Sequence, residues 1–179
     1  MSADVDSPAA EEQTALSDFI MVGTDNAASR HRVQKISLKY GAPLISAGVN
    51  ITVAKDEDGG RLLVDRSGEV IAIRLGDGYR LNCLGRIRQA DMACESHPEP
   101  EVRKKTLALG HVGGALVREP AVKTLNAMVA ALAVESLVNQ YDENMVREPV
   151  VVVESHDGAR MCPDKSTFAM LETGCASCL

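Results

Sequence analysis

The sequence predicts an α/β fold three layers deep, on a mainly parallel sheet with an antiparallel extension, and three observations carry that prediction. The apolar run Phe19-Ile20-Met21-Val22 ends at Gly23, a helical pattern follows over residues 26–40, and a second apolar run over 43–47 comes directly after it. Strand, helix and strand with short joints form a βαβ unit, whose strands lie parallel. Over 51–75 the pattern changes to β segments separated by Asp56-Glu57-Asp58-Gly59-Gly60 and Arg66-Ser67-Gly68, the turn chemistry of antiparallel hairpins. Residues 121–141 then carry a long apolar helix able to cover one face of a sheet.

Each element has its own local signal. Asp6-Ser7-Pro8 reads as an N-cap with Pro at the first helical position, and Glu11 and Glu12 stand in the first turn, which predicts a short first helix. The run 19–22 is continuous rather than alternating, the pattern of a strand buried on both faces. In the helix over 26–40, Val33, Ile36 and Tyr40 share one face and Gly41 closes the C-terminus. Residues 76–109 are polar and irregular and read as a mobile connection. The helix over 121–141 has Leu125, Met128, Val129, Leu132, Val134, Leu137 and Val138 on much of its circumference, so it reads as buried. Pro149 opens the strand Val150-Val151-Val152-Val153, and His156-Asp157-Gly158 turns the chain into a cysteine-bearing tail. Two units result: a body over 1–148 and a hairpin with its tail over 149–179.

Composition removes several function classes. The chain has 179 residues, 45% of them hydrophobic, enough for one domain with a core. Its net charge of -6, 3% aromatics and absence of Trp supply neither the electrostatic footprint nor the stacking surface for nucleic acid. Glu135 interrupts the longest apolar stretch and the acidic start has no basic n-region, so neither membrane insertion nor export is expected. Five cysteines, at 83, 94, 162, 175 and 178, then point to a cytoplasmic protein whose thiols bind metal or react rather than pair.

The most informative stretch is Thr24-Asp25-Asn26 with Arg30 four residues on. An Asp and an Asn at the carboxyl end of a parallel strand, where a helix begins, occupy the crevice in which open α/β sheets bind ligands. The same pair also serves as an ordinary helix N-cap, and the two roles are compatible.

These residues resemble the ThiF/MoeB/HesA family of ubiquitin-activating-enzyme-like adenylyltransferases, in which a strand ends in Thr-Asp-Asn with an Arg shortly after. Further similarities are collinear: Tyr40-Gly41-Ala42-Pro43-Leu44-Ile45, Tyr79-Arg80-Leu81-Asn82-Cys83-Leu84, the helix over 121–141, and Gly174-Cys175-Ala176-Ser177-Cys178. The resemblance implies a partial Rossmann-like sheet, a crossover loop over about 76–118 and a C-terminal zinc-binding tail. It implies ATP-dependent adenylylation of the C-terminus of a ubiquitin-like or sulfur-carrier protein, with Asp25 as the Mg²⁺ ligand, Asn26 touching nucleotide and Arg30 fixing the loop against a carboxylate or carbonyl. It also implies a homodimer or a complementary N-terminal half, because the family's Gly-rich phosphate loop has no counterpart here. On that resemblance the chain starts just before the family's middle strand and acts as a fragment or half of the enzyme. The alternative is a non-catalytic, zinc-bearing module for dimerisation and carrier docking. A Rossmann dehydrogenase fragment gives the terminal cysteines and the Thr-Asp-Asn strand end no role.

For zinc, the resemblance and the Cys175-x-x-Cys178 spacing together select Cys83, Cys162, Cys175 and Cys178, with His156 as a substitute; Arg80 stands where the family has a further cysteine. Cys94 aligns roughly with a loop cysteine that forms covalent intermediates in some relatives and none in others. His97 or the run Arg103-Lys104-Lys105 would lower its pKa, while Asp91 and Glu95 would raise it. His31 and His111 read as surface or capping residues.

Overall fold

The computed structural model describes residues 7–55, 61–101, 120–142, 144–145, 147–154 and 160–164. Helix α1 (Pro8–Ala15) starts as the sequence predicts, with the Ser7 hydroxyl accepting from the Ala10 amide at 3.2 Å. Strand β1 (Ile20–Val22) leads into α2 (Ala27–Tyr40), which ends on Gly41 at φ 73°, the left-handed conformation that glycine enters without steric cost. Strands β2 (Leu44–Lys55) and β3 (Arg61–Ile73) follow, then α3 (Gln89–Glu95), α4 (Pro120–Tyr141), β4 (Val150–Glu154) and β5 (Arg160–Pro163).

The strands form one sheet in the order β1-β2-β3-β4-β5. Only β1 and β2 are parallel, with Ile20 opposite Leu44 and Val22 opposite Ser46, as the βαβ pattern predicts. Each of the other pairs is antiparallel, so the expectation of a mainly parallel sheet is wrong. The error has a physical origin. Strands β2 and β3 make one long ladder, and β2 runs straight through Gly48 and Asn50 where the sequence predicts separate segments. Between β3 and β4 in sequence, α3 lies on one face of the sheet and α4 on the other, and β4 pairs antiparallel to β3.

The three layers are present. On one face α2 and the segment after β3 bury Val33, Ile36, Leu44, Ile71, Ile73, Leu81, Leu84 and Ile87. On the other, α4 lays Leu125, Val129 and Ala133 on Ile45, Val70, Ala72 and Val153. Gly68 permits that second contact, because a Cβ on it would collide with Val129.

Two further expectations are corrected. Strand β1 is an edge strand: Ile20 and Val22 are buried, but Met21 between them is 42% exposed, so only one face is covered. The described part of the connection read as mobile, 76–101, is docked to the body. Gln34 on α2 is buried and clamps it, donating to Asn82 Oδ1 at 2.6 Å and accepting from the Leu81 amide at 2.6 Å. Among the described residues no helix is long and apolar enough to cross a membrane.

Candidate functional site at the carboxyl end of strand β1

The site is assembled where β1 hands over to α2. Thr24 is partly buried, Asp25 is exposed, and Asn26 is the N-cap of α2, its Oδ1 accepting from the Ser29 amide at 2.7 Å. A helix start leaves backbone N–H groups without partners inside the helix, and these groups with the helix dipole favour an anion. Here the anion is supplied from within the chain. The Glu95 carboxylate, at the end of α3, accepts from the Ala27 and Ala28 amides, each at 2.8 Å. No local pattern marks this role, since Glu95 lies 67 residues downstream of Ala28.

Arg30 points back from the first turn of α2. Its Nε donates to the Thr24 carbonyl at 2.8 Å, which holds the strand-to-helix loop closed. The guanidinium lies against Gly48 on β2; Nη2 is only 2.8 Å from where a Cβ would sit, so glycine makes room for it. Burial lowers the Arg30 pKa, and the carboxylates of Glu69, Asp25 and Glu95 oppose that shift.

Glu69 is paired with Gly48 across the β2–β3 ladder and is gripped by Arg86. Arg86 Nε donates to both Glu69 oxygens at 2.8 Å, its Nη2 makes a further ion pair with Glu69, and its Nη1 donates to the Leu84 carbonyl at 2.9 Å. The Glu69 hydrogen bonds raise the Arg86 pKa. Three carboxylates and two guanidiniums thus surround the end of the parallel pair, and three of the five, Glu69, Arg86 and Glu95, were not candidates from sequence.

The other predicted residues fall elsewhere. Cys94 is half-buried on α3, immediately before Glu95, so any motion of α3 moves both. His97 Nδ1 accepts from the Glu99 amide at 3.2 Å, and the run 103–105 lies outside the described residues. His31 is half-buried with its Nδ1 lacking a hydrogen-bond partner; burial, then Lys35, lower its pKa. Cys83 is partly buried in the turn that Gln34 clamps, and Cys162 is exposed on β5, opposite Val152. Cys175, Cys178, His111 and His156 lie outside the described residues. No three His, Cys, Asp or Glu side chains form a metal-holding group among the described residues, which include only two of the four proposed zinc ligands.

Comparisons with known proteins add little. No family model and no curated protein matches the chain. Among solved structures it is similar to the crystal structure of SeMet PaaA, at 15% identity and a TM-score of 0.43. The match covers 90% of this chain and 46% of that one, so the chain spans less than half the length of PaaA. A likeness at that level carries no statement about activity.

Proposed function

We propose that this chain is part of an ATP-dependent adenylyltransferase acting on the C-terminus of a ubiquitin-like or sulfur-carrier protein, as a fragment or one half of the enzyme. The observation that carries the reading is the seating of a carboxylate on the Ala27 and Ala28 amides, beside Asp25 and under Arg30. Those amides donate to an oxygen anion, and a phosphate offers the same kind of acceptor oxygen in the same role.

In the reaction that the family resemblance implies, a carboxylate oxygen of the carrier attacks the α-phosphorus of ATP. The bond to the β-phosphate oxygen breaks, pyrophosphate leaves with that electron pair, and an acyl-adenylate remains. The donor chemistry at Asp25 fits Mg²⁺, a hard cation that takes one or two carboxylates and fills its remaining positions with phosphate and water. Bound there, Mg²⁺ would neutralise phosphate charge. From this chain, Asp25 would hold the metal, Asn26 would keep the helix start formed, and Arg30 would hold the Thr24 carbonyl and add positive charge. The Gly-rich loop would come from a complementary chain. Cys94 is proposed as a thiol reacting after activation, and Cys83, Cys162, Cys175 and Cys178 as a structural zinc set of thiolates, suited to a reducing, cytoplasmic compartment.

A specific observation favours the second reading, a non-catalytic docking module. Glu95 already satisfies the amides that a phosphate would need, and a phosphate must displace it. Calorimetric titration of Mg-ATP separates the two. The adenylyltransferase reading expects magnesium-dependent binding that weakens at least about tenfold, about 1.4 kcal/mol, in Asp25→Asn. Absence of binding by the folded chain, or equal binding by the variant, supports the docking module.

A further inference from the structure

We propose that the cationic face of α2 formed by Arg32, Lys35 and Lys39 is a docking site for an acidic helical segment of a partner protein, and that α1 is an internal strap which such a segment displaces. The three cations are spaced by three and four residues, so they stand on one side of the helix. Helix α1 packs against α2 yet buries none of its own residues, and Ala10, Thr14 and Ala15 beside Glu11 are small and only half-buried, so apolar burial does little to hold it. The hold is Glu11. Its carboxylate accepts from Lys39 Nζ at 2.8 Å and from the Tyr40 hydroxyl at 3.3 Å, and it forms an ion pair with Arg32. The Lys39 hydrogen bond lowers the Glu11 pKa, so the group is charged at neutral pH.

The chemistry of the occupant follows from what the strap leaves unused. One carboxylate serves two of the three cations. Among the described residues Lys35 is exposed and takes part in no ion pair, and Arg32 Nε is shielded from water with no hydrogen-bond partner. A buried donor without an acceptor is costly, so a ligand that reaches Arg32 Nε is favoured over the strap. A helix with carboxylates on successive turns replaces Glu11 and meets Lys35 and Arg32 as well, which α1 does not do. The strap is also suited to leaving. Surface ion pairs contribute little each, and a helix of eight residues is marginal on its own, so undocking and unwinding of α1 lie at the low end of the stability range. A ligand that binds only the open form then draws the strap off by mass action. The proposal uses no residue of the nucleotide site, so it stands or falls separately from the adenylyltransferase reading.

Fluorescence anisotropy of the whole chain with a labelled alanine-rich peptide carrying glutamate at every third or fourth position tests it, with circular dichroism to confirm that each variant is folded. The expected result is binding at least about tenfold tighter than that of the same peptide with glutamine. Glu11→Gln, which loosens the strap, is expected to tighten binding of the glutamate peptide at least about tenfold, because more of the chain is open to it. Lys35→Glu leaves every contact of Glu11 in place and is expected to weaken it by a similar factor. Saturating peptide is also expected to speed hydrogen exchange at the Glu11 and Leu16 amides, which are bonded within the strap. No binding by the folded Glu11→Gln chain, or binding indifferent to Lys35→Glu, overturns the docking site. Binding that leaves the α1 amides as protected as before, or that Glu11→Gln does not tighten, overturns the strap. Binding of phosphatidylserine-containing vesicles without binding of the peptide overturns the acidic segment in favour of a membrane surface.

Discussion

Leu44→Ala is expected to lower the stability of the chain by about 2–5 kcal/mol, read as a shift of the urea midpoint at unchanged slope. Leu44 is fully buried, sits opposite Ile20 in the one parallel pair, and belongs to the core under α2. Its truncation removes apolar contacts on three elements at once and leaves a cavity, since strand and helix backbones cannot collapse into the space. Strand β1 has three residues and, among the described strands, pairs only with β2, so its hold on the sheet rests on few positions such as this one. The functional consequence is local: β1 carries Thr24 and Asp25 at its end, and its loosening would release the Arg30 contact with the Thr24 carbonyl. A Leu44→Ala loss below about 0.5 kcal/mol would mean that β1 is not held by this packing.

Glu95→Ala has two expected effects of opposite value to the protein. It removes two hydrogen bonds to a charged acceptor, one partly buried and one exposed, and is expected to cost about 1–3 kcal/mol of stability. Asn26 still caps the Ser29 amide, so α2 keeps part of its N-terminal satisfaction and the chain should fold. At the same time the variant exposes the Ala27 and Ala28 amides and leaves Asp25 and Glu69 balanced against Arg30 and Arg86, where three carboxylates had faced two guanidiniums. Affinity for Mg-ATP is therefore expected to rise about tenfold, measured by calorimetry. Glu95→Gln separates the effects: it retains an amide oxygen that can accept one of the hydrogen bonds, but it carries no charge. A stability loss with no gain in Mg-ATP affinity would make Glu95 a structural cap alone.

The parts of the fold that were legible in the sequence rest on contacts between near neighbours. Ser7 before Pro8, Asn26 at the start of α2 and Gly41 at its end act within four residues, so composition alone exposes them. The parallel pairing of β1 and β2 follows from the short joints around α2. Strand direction beyond β2 was not legible, because it is set by pairing between strands far apart in sequence, β3 with β4, which leaves no local signature. Leu81, Leu84 and Ile87 were hidden in a polar background, and what buries them is a clamp from Gln34, 47 residues away in sequence. The candidate site divides in the same way. Asp25, Asn26 and Arg30 are marked by the strand end and the helix start, whereas Glu69, Arg86 and Glu95 enter through contacts spanning 17 to 68 residues. The exposed face of α4 was visible as apolar residues but was assigned to the interior, since apolar residues on much of a helix's circumference do not say which of its faces is covered.

On the proposed function, the Ala27 and Ala28 amides, now held by Glu95, are the phosphate-binding donors of a nucleotide site. Backbone ¹H–¹⁵N spectra recorded during a titration with Mg-ATP test it most directly. The Ala27 and Ala28 amide resonances are expected to move together with that of Asp25, to move further at a given nucleotide concentration in Glu95→Ala, and to respond more weakly without Mg²⁺. Saturation of a binding isotherm while the Ala27 and Ala28 resonances stay still, or no response anywhere in the folded Glu95→Ala chain, would contradict it.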